Sequence, residues 1–127
     1  MIDNNQKKIR GLKHIWQATL YSLDGIKTAF ITEAAFRQEV IITSISIPLA
    51  LMIPLSFVFK AFLIASTIGV LIAELVNTAL ESIVNIVSQG FHPLGKRAKD
   101  MASAAVMLSI INLGVAWLFA LLQFLLK

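Results

Sequence analysis

The chain has 127 residues, of which 57% are hydrophobic and 14% charged, against about 25% charged in an ordinary soluble domain. With a mean hydropathy of +0.81 and a net charge of +4, it is excluded from the soluble globular class and reads as an integral membrane protein small enough to be one unit. It contains no cysteine, which excludes a disulfide framework and a thiolate metal site.

Residues 1–30 are basic and periodic. Ile9, Leu12, Ile15, Trp16, Leu20, Leu23 and Ile26 recur at three- and four-residue steps, with Lys7, Arg10, Lys13, Gln17 and Asp24 on the other side. The spacing predicts an amphipathic surface helix over about 5–25, lying on a membrane with Trp16 and Tyr21 at headgroup depth. A nucleic-acid-binding arm is the alternative for such a basic stretch; beside so much apolar sequence it gives way, and no nucleic-acid partner is expected. Met1 to His14 are polar and basic with no apolar core or cleavage site behind them, so no cleavable signal peptide is expected. Gly25 is the predicted joint between the surface helix and the first span.

Glu33 to Glu39 reads Glu-Ala-Ala-Phe-Arg-Gln-Glu and leads into an uncharged run from Val40 to Phe59. A spanning helix needs about 20 apolar residues. A first transmembrane helix is therefore predicted over about 30–52, its span starting near Ala34, with a kink at Pro48 and a turn at Pro54. A second is predicted over about 57–87; at about 45 Å it outruns a hydrocarbon core of about 30 Å. Ser88 to Lys96 reads as a polar loop in which Gly90, Pro93 and Gly95 break helix. A third transmembrane helix is predicted over about 98–126, and its Ala102, Ser103, Ala104 and Ala105 are small enough for a neighbouring helix to approach closely. The expected fold is a single all-α membrane domain over residues 1–127, with three transmembrane helices and the amino-terminal surface helix.

The amino-terminal arm and the loop near Lys96 share one side of the membrane and hold nine of the eleven Lys and Arg residues; Lys60 and Lys127 face the other. The positive-inside rule makes the richer side cytoplasmic.

Glu74, Asn77 and Glu81 interrupt the second span at i, i+3 and i+7, so they project from one helix face. Counted from Lys60 at the opposite surface, Glu74 lies about 21 Å along the helix and Glu81 about 31 Å, level with Glu33 at the start of the first span. Ionisable residues in a span are costly and mark functional sites, and acids on one stripe repel unless a cation, a proton or a basic group lies between them. Hard oxygen donors beside the basic cluster of Lys96, Arg97 and Lys99 suggest a Mg²⁺–phosphate site, with Glu33 and Glu81 as its carboxylates and Lys99 as the charge for a phosphate. Glu74 is then placed to accept a proton from a hydroxyl. Neither GxxxxGK[ST] nor GxGxxG is present, so a Walker cradle and a protein-kinase site are excluded. Plainer roles stay open on spacing alone. Glu74 and Glu81 could line a seam between subunits, Glu33 could pair with Arg37, and Lys96 and its neighbours could be ordinary cytoplasmic anchors.

Three segments carry a resemblance. Glu74-Leu75-Val76-Asn77-Thr78-Ala79-Leu80-Glu81, Glu33-Ala34-Ala35-Phe36-Arg37-Gln38-Glu39, and Arg97-Ala98-Lys99-Asp100-Met101 followed by Ser103-Ala104-Ala105 closely resemble the bacterial integral-membrane diacylglycerol kinases, in order and spacing across nearly the whole chain. The resemblance implies a homotrimer in the bacterial inner membrane, with the amino terminus and active site cytoplasmic. It implies transfer of the γ-phosphoryl of Mg-ATP to the hydroxyl of diacylglycerol, giving phosphatidic acid. By matching position, Glu74 resembles the general base, Asn77 the active-site amide, and Glu33 and Glu81 the Mg²⁺ ligands. Tyr21, Glu33, Glu81, Gly90, Phe91, His92, Lys99 and Asp100 fall at ATP-binding positions. Ala35, Phe36, Arg37, Gln38, Glu39, Glu74 and Ser103 fall at lipid-substrate positions. Three positions depart from the pattern: Asn85 replaces the usual Asp, His14 stands where an arginine is expected, and Pro93 replaces an acidic residue. At His14 the imidazole lacks the guanidinium fork with which an arginine grips a phosphate.

Related enzymes phosphorylate undecaprenol, so an undecaprenol kinase is the nearest alternative. A non-catalytic cation channel or carrier, with acids ringed around an oligomer axis, is the alternative of another class.

Overall fold

The computed structural model describes residues 12–126. Four helices succeed one another, α1 Leu12–Thr32, α2 Ala34–Met52, α3 Phe57–Val87 and α4 Pro93–Leu125, and the described residues contain no strand. The last three are each long and apolar enough to cross a membrane. The start of the expected surface helix, with Lys7 and Arg10, lies outside the described residues, as does Lys127.

α1 and α2 meet at Glu33, a single extended residue with φ −107° and ψ 116°. The guanidinium of Arg37 reaches back to donate to the carbonyls of Phe30 at 3.1 Å and Ile31 at 2.9 Å. These carbonyls lie in the last turn of α1, where no intrahelical donor remains for them. The break therefore falls at Glu33 and not at Gly25, which sits inside an uninterrupted α1. The sequence reading of Gly25 as the joint is corrected. A lone glycine costs a helix only about 1 kcal/mol, less than stopping it would.

α2 ends at Met52, before Ile53 and Pro54. The ammonium of Lys60 donates to the carbonyl of Leu51 at 2.7 Å, placing a cation at the negative end of the α2 dipole. Ser56 caps α3 by accepting from the backbone N–H of Phe59, and its own N–H donates to the Gln123 side chain near the end of α4. These bonds tie the three spanning helices together at one end of the molecule.

At the other end the third span starts earlier than its sequence suggests. α4 begins at Pro93, not near residue 98, and Gly95 lies inside it. Pro93 starts the helix because its missing N–H is one that the first turn leaves unbonded anyway, and its fixed φ suits the helix. His92 completes the cap, its ring nitrogen accepting from the N–H of Leu94 at 3.2 Å.

α3 packs chiefly against α4, less against α2 and least against α1. The core is small, built from Ala50, Leu55, Leu63, Ala116 and Ala120 with Ile53, Phe59 and Trp117 around it. Of the small residues at the start of α4, only Ala102 is buried within the chain; Ser103, Ala104 and Ala105 are exposed. Inside the spans, Asn112 donates to Ser66 at 3.2 Å across α3 and α4, and Thr67 donates to the Leu63 carbonyl at 2.7 Å. Most large apolar side chains face outward, as expected where lipid or another subunit replaces water. α1 is the least packed of the four: among its described side chains only Ala29 is buried.

Candidate active site

Glu74 lies midway along α3 and is 6% exposed. None of the hydrogen bonds or ion pairs among the described residues reaches its carboxylate; the single ion pair there joins Lys96 to Asp100. The charges that act on Glu74 are instead those of Glu81, one face-repeat along α3, and Glu33, at the α1–α2 break. Glu74 in turn acts on Glu39 of α2. Four carboxylates from the α1–α2 break, α2 and α3 therefore share one electrostatic neighbourhood. The helical stripe places Glu74 and Glu81, and the extended residue between α1 and α2 brings Glu33 to the same level.

Four hollows surround α3. The largest, about 730 Å³ between α1 and α3, is lined by Glu33, Ser22, Thr28, Thr32, Thr78 and Ser82 among others. Sequence reading passes over Thr78 and Ser82, though they stand at i+4 and i+8 from Glu74, and that spacing is the available signal. Asn77 borders a second hollow of about 490 Å³ with Ala98, Ala102 and Ala105 of α4, and its amide oxygen is buried without a partner among the described residues. Glu39 borders a third, about 270 Å³, with Thr43, Thr67 and Trp117, and one of its oxygens is likewise buried and unpartnered among those residues.

The fourth hollow, about 240 Å³, lies between the end of α3 and the start of α4. Gly90, Phe91, His92 and Lys99 line it together, joined by Lys96 and Asn85, which sequence reading leaves out of the site. Lys99 donates to the Asn85 side chain at 2.8 Å. Gly95 eases the close approach of the two helix ends, because a Cβ there would stand 3.1 Å from the Val84 Cγ1 methyl.

The structure thus brings Glu33, Glu74 and Glu81 into one neighbourhood and Gly90, Phe91, His92 and Lys99 into another. Asp100 is exposed and pairs with Lys96, and Tyr21 is exposed on α1 beside Ser22. Of the segment from Ala35 to Glu39, Ala35 and Gln38 are exposed, Phe36 is buried in the subunit, and Arg37 is occupied by the α1 carbonyls in place of a pair with Glu33. Ser103 is exposed on α4.

Among the described residues no three His, Cys, Asp or Glu side chains converge as a metal-ligating group. Mg²⁺ does not require one, since it commonly takes one or two carboxylates and completes its shell with phosphate oxygens and water. Glu33 and Glu81, hard oxygen donors that are half-buried and without a cationic partner among the described residues, fit that need.

The prokaryotic diacylglycerol kinase family matches residues 20–121. A diacylglycerol kinase of Pseudomonas aeruginosa is 46% identical over 112 residues, covering 88% of this chain and 91% of the relative. That of Helicobacter pylori is 40% identical, covering 87% and 86%, and that of Escherichia coli K12 is 37% identical, covering 84% and 88%. Since the match runs from within α1 to near the end of α4 and takes in every carboxylate of the layer around Glu74, the chain belongs to the prokaryotic diacylglycerol kinase family.

Proposed function

We propose that this chain transfers the γ-phosphoryl of Mg-ATP to the hydroxyl of diacylglycerol, with Glu74 as general base. Family membership supports the coarser statement, a lipid kinase. The observation that carries the finer one is Glu74 itself, a buried residue whose carboxylate has no cation beside it among the described residues and two further acids acting on it. Such an arrangement is costly as structure and useful as chemistry. It leaves Glu74 open to a hydroxyl partner, and Glu33 and Glu81 open to a cation.

In this reading the lipid hydroxyl hydrogen-bonds Glu74, which takes its proton as the hydroxyl oxygen bonds to the γ-phosphorus and the bond to the bridging oxygen of ADP breaks. Mg²⁺ held by Glu33 and Glu81 would offset charge on the phosphates. Asn77 offers its unpartnered amide to the reacting groups. Lys99, with the Gly90–His92 backbone, holds the nucleotide phosphates, and Tyr21 and Asp100 border the same nucleotide. Ala35 to Glu39 and Ser103 hold the lipid, Phe36 by supporting the segment from within. Phosphoryl transfer asks little of the protein beyond positioning and charge, which suits so small a chain. The assembly proposed is a homotrimer in the bacterial inner membrane, α1 lying along its surface and the site facing the cytoplasm.

The test is phosphate transfer from labelled Mg-ATP in micelles containing either diacylglycerol or undecaprenol. Labelled phosphatidic acid is the expected product. Labelled undecaprenyl phosphate would change the substrate and keep the mechanism. No labelled lipid from folded protein, with ion flux in liposomes, would replace the kinase with a channel.

A further inference from the structure

The hollow between the end of α3 and the start of α4 contains two lysines that are treated differently. Lys96 is paired with Asp100, an exposed carboxylate one turn along α4. Lys99 bonds the amide oxygen of Asn85. An amide oxygen accepts a hydrogen bond but has no formal charge. The ammonium has three donors, of which this bond uses one. Among the described residues no acidic side chain lines the hollow, and of its two lysines Lys99 is the one without a carboxylate partner.

We propose that Asn85 is a positioning residue. It aims the Lys99 ammonium into the hollow between α3 and α4 and leaves its charge free for an anionic phosphate group. The helix ends support this alignment. Gly95 allows α4 to close on Val84, the neighbour of Asn85, and Lys99 stands one turn further along α4, within reach of the amide. A carboxylate at position 85, the residue usual at that place in the resembled family, would keep the tether but offset part of the charge, so the asparagine of this chain makes Lys99 the stronger anion site; alanine would keep the charge but lose the tether. The inference rests on the hollow receiving the nucleotide phosphates, as proposed above.

The two losses can be read separately. Asn85→Asp and Asn85→Ala are each assayed for the KM of Mg-ATP, kcat and the KM of the lipid at two ionic strengths. Binding of a non-hydrolysable Mg-ATP analogue is measured by calorimetry in parallel. Asn85→Asp is expected to raise the KM for Mg-ATP and the analogue's Kd about fivefold, with kcat and the lipid KM little changed, and to flatten the salt dependence of both. Asn85→Ala is expected to raise them about threefold while keeping the salt dependence. In a Lys99→Ala background neither substitution should add anything. Wild-type affinity in Asn85→Asp, or an equal loss in the Lys99→Ala background, overturns the proposal. If wild-type protein phosphorylates neither lipid but binds the analogue, the calorimetric comparison still decides the role of Asn85. If it does not bind the analogue, the proposal fails with the nucleotide assignment, while failure of Asn85 alone leaves the kinase reading standing.

Discussion

Removing a carboxylate from water costs several kcal/mol unless a partner compensates, and Glu74 has none among the described residues. If its role is to receive a proton, the isosteric Glu74→Gln should lower kcat by at least about 100-fold without lowering the thermal midpoint in detergent. Both are read on one preparation. Retained turnover would remove Glu74 from the base role. Glu81→Gln should act differently: if Glu33 and Glu81 hold the ion as proposed, deleting one of the two carboxylates raises the Mg²⁺ concentration needed for half-maximal activity. A Mg²⁺ titration unchanged in that variant would separate Glu81 from the metal. The stripe of Glu74, Asn77 and Glu81 is legible in the sequence because helical spacing alone puts them on one face. The tie between Glu39 and Glu74 is not, because it depends on how α2 lies against α3, which periodicity does not encode.

At the scale of elements, α2 and α3 lie close to their expected bounds because long uncharged runs, Lys60 and the Pro54 turn delimit them. The start of α4 escapes a sequence reading for a definite reason. Proline and glycine both read as helix breakers, yet at the first position proline favours a helix, and Gly95 serves for room and not for its backbone freedom. That role is testable. Gly95→Ala would set a Cβ 3.1 Å from a branched methyl of Val84, a strain that opposes the gain of about 1 kcal/mol that alanine has over glycine in a helix. The thermal midpoint is expected to rise more for Gly95→Ala in a Val84→Ala background than in the wild-type chain. An equal rise in both would show that the helix ends part freely. Arg37 teaches a similar lesson: spacing suggests a pair with Glu33, but the open carbonyls at the end of α1 take the guanidinium, and leave Glu33 without a salt bridge among the described residues.

For the whole molecule, the inferred orientation can be read directly, because a chain without cysteine is a clean background for single labels. A membrane-impermeant maleimide on intact spheroplasts should react with Ser56→Cys and spare Ser88→Cys, and the pattern should reverse on inverted vesicles. The opposite outcome would turn the carboxylate layer to the outside, away from cellular ATP.

The three spanning helices differ in length, with 19 residues in α2, 31 in α3 and 33 in α4. α2 is about 28 Å long, close to a hydrocarbon thickness of about 30 Å, whereas its partners overhang. α2 therefore acts as the molecule's depth gauge, and Glu33 and Glu39 sit at or just inside its upper end. Hydrophobic mismatch is relieved by tilting, stretching or thinning, and a helix with no spare length has little to give. In bilayers of longer acyl chains the acids would be drawn into hydrocarbon; in much thinner ones they would stand clear of the lipid hydroxyl. Turnover measured across a series of phosphatidylcholines should accordingly peak at one chain length and fall on both sides, making bilayer thickness itself a regulator of this catalyst.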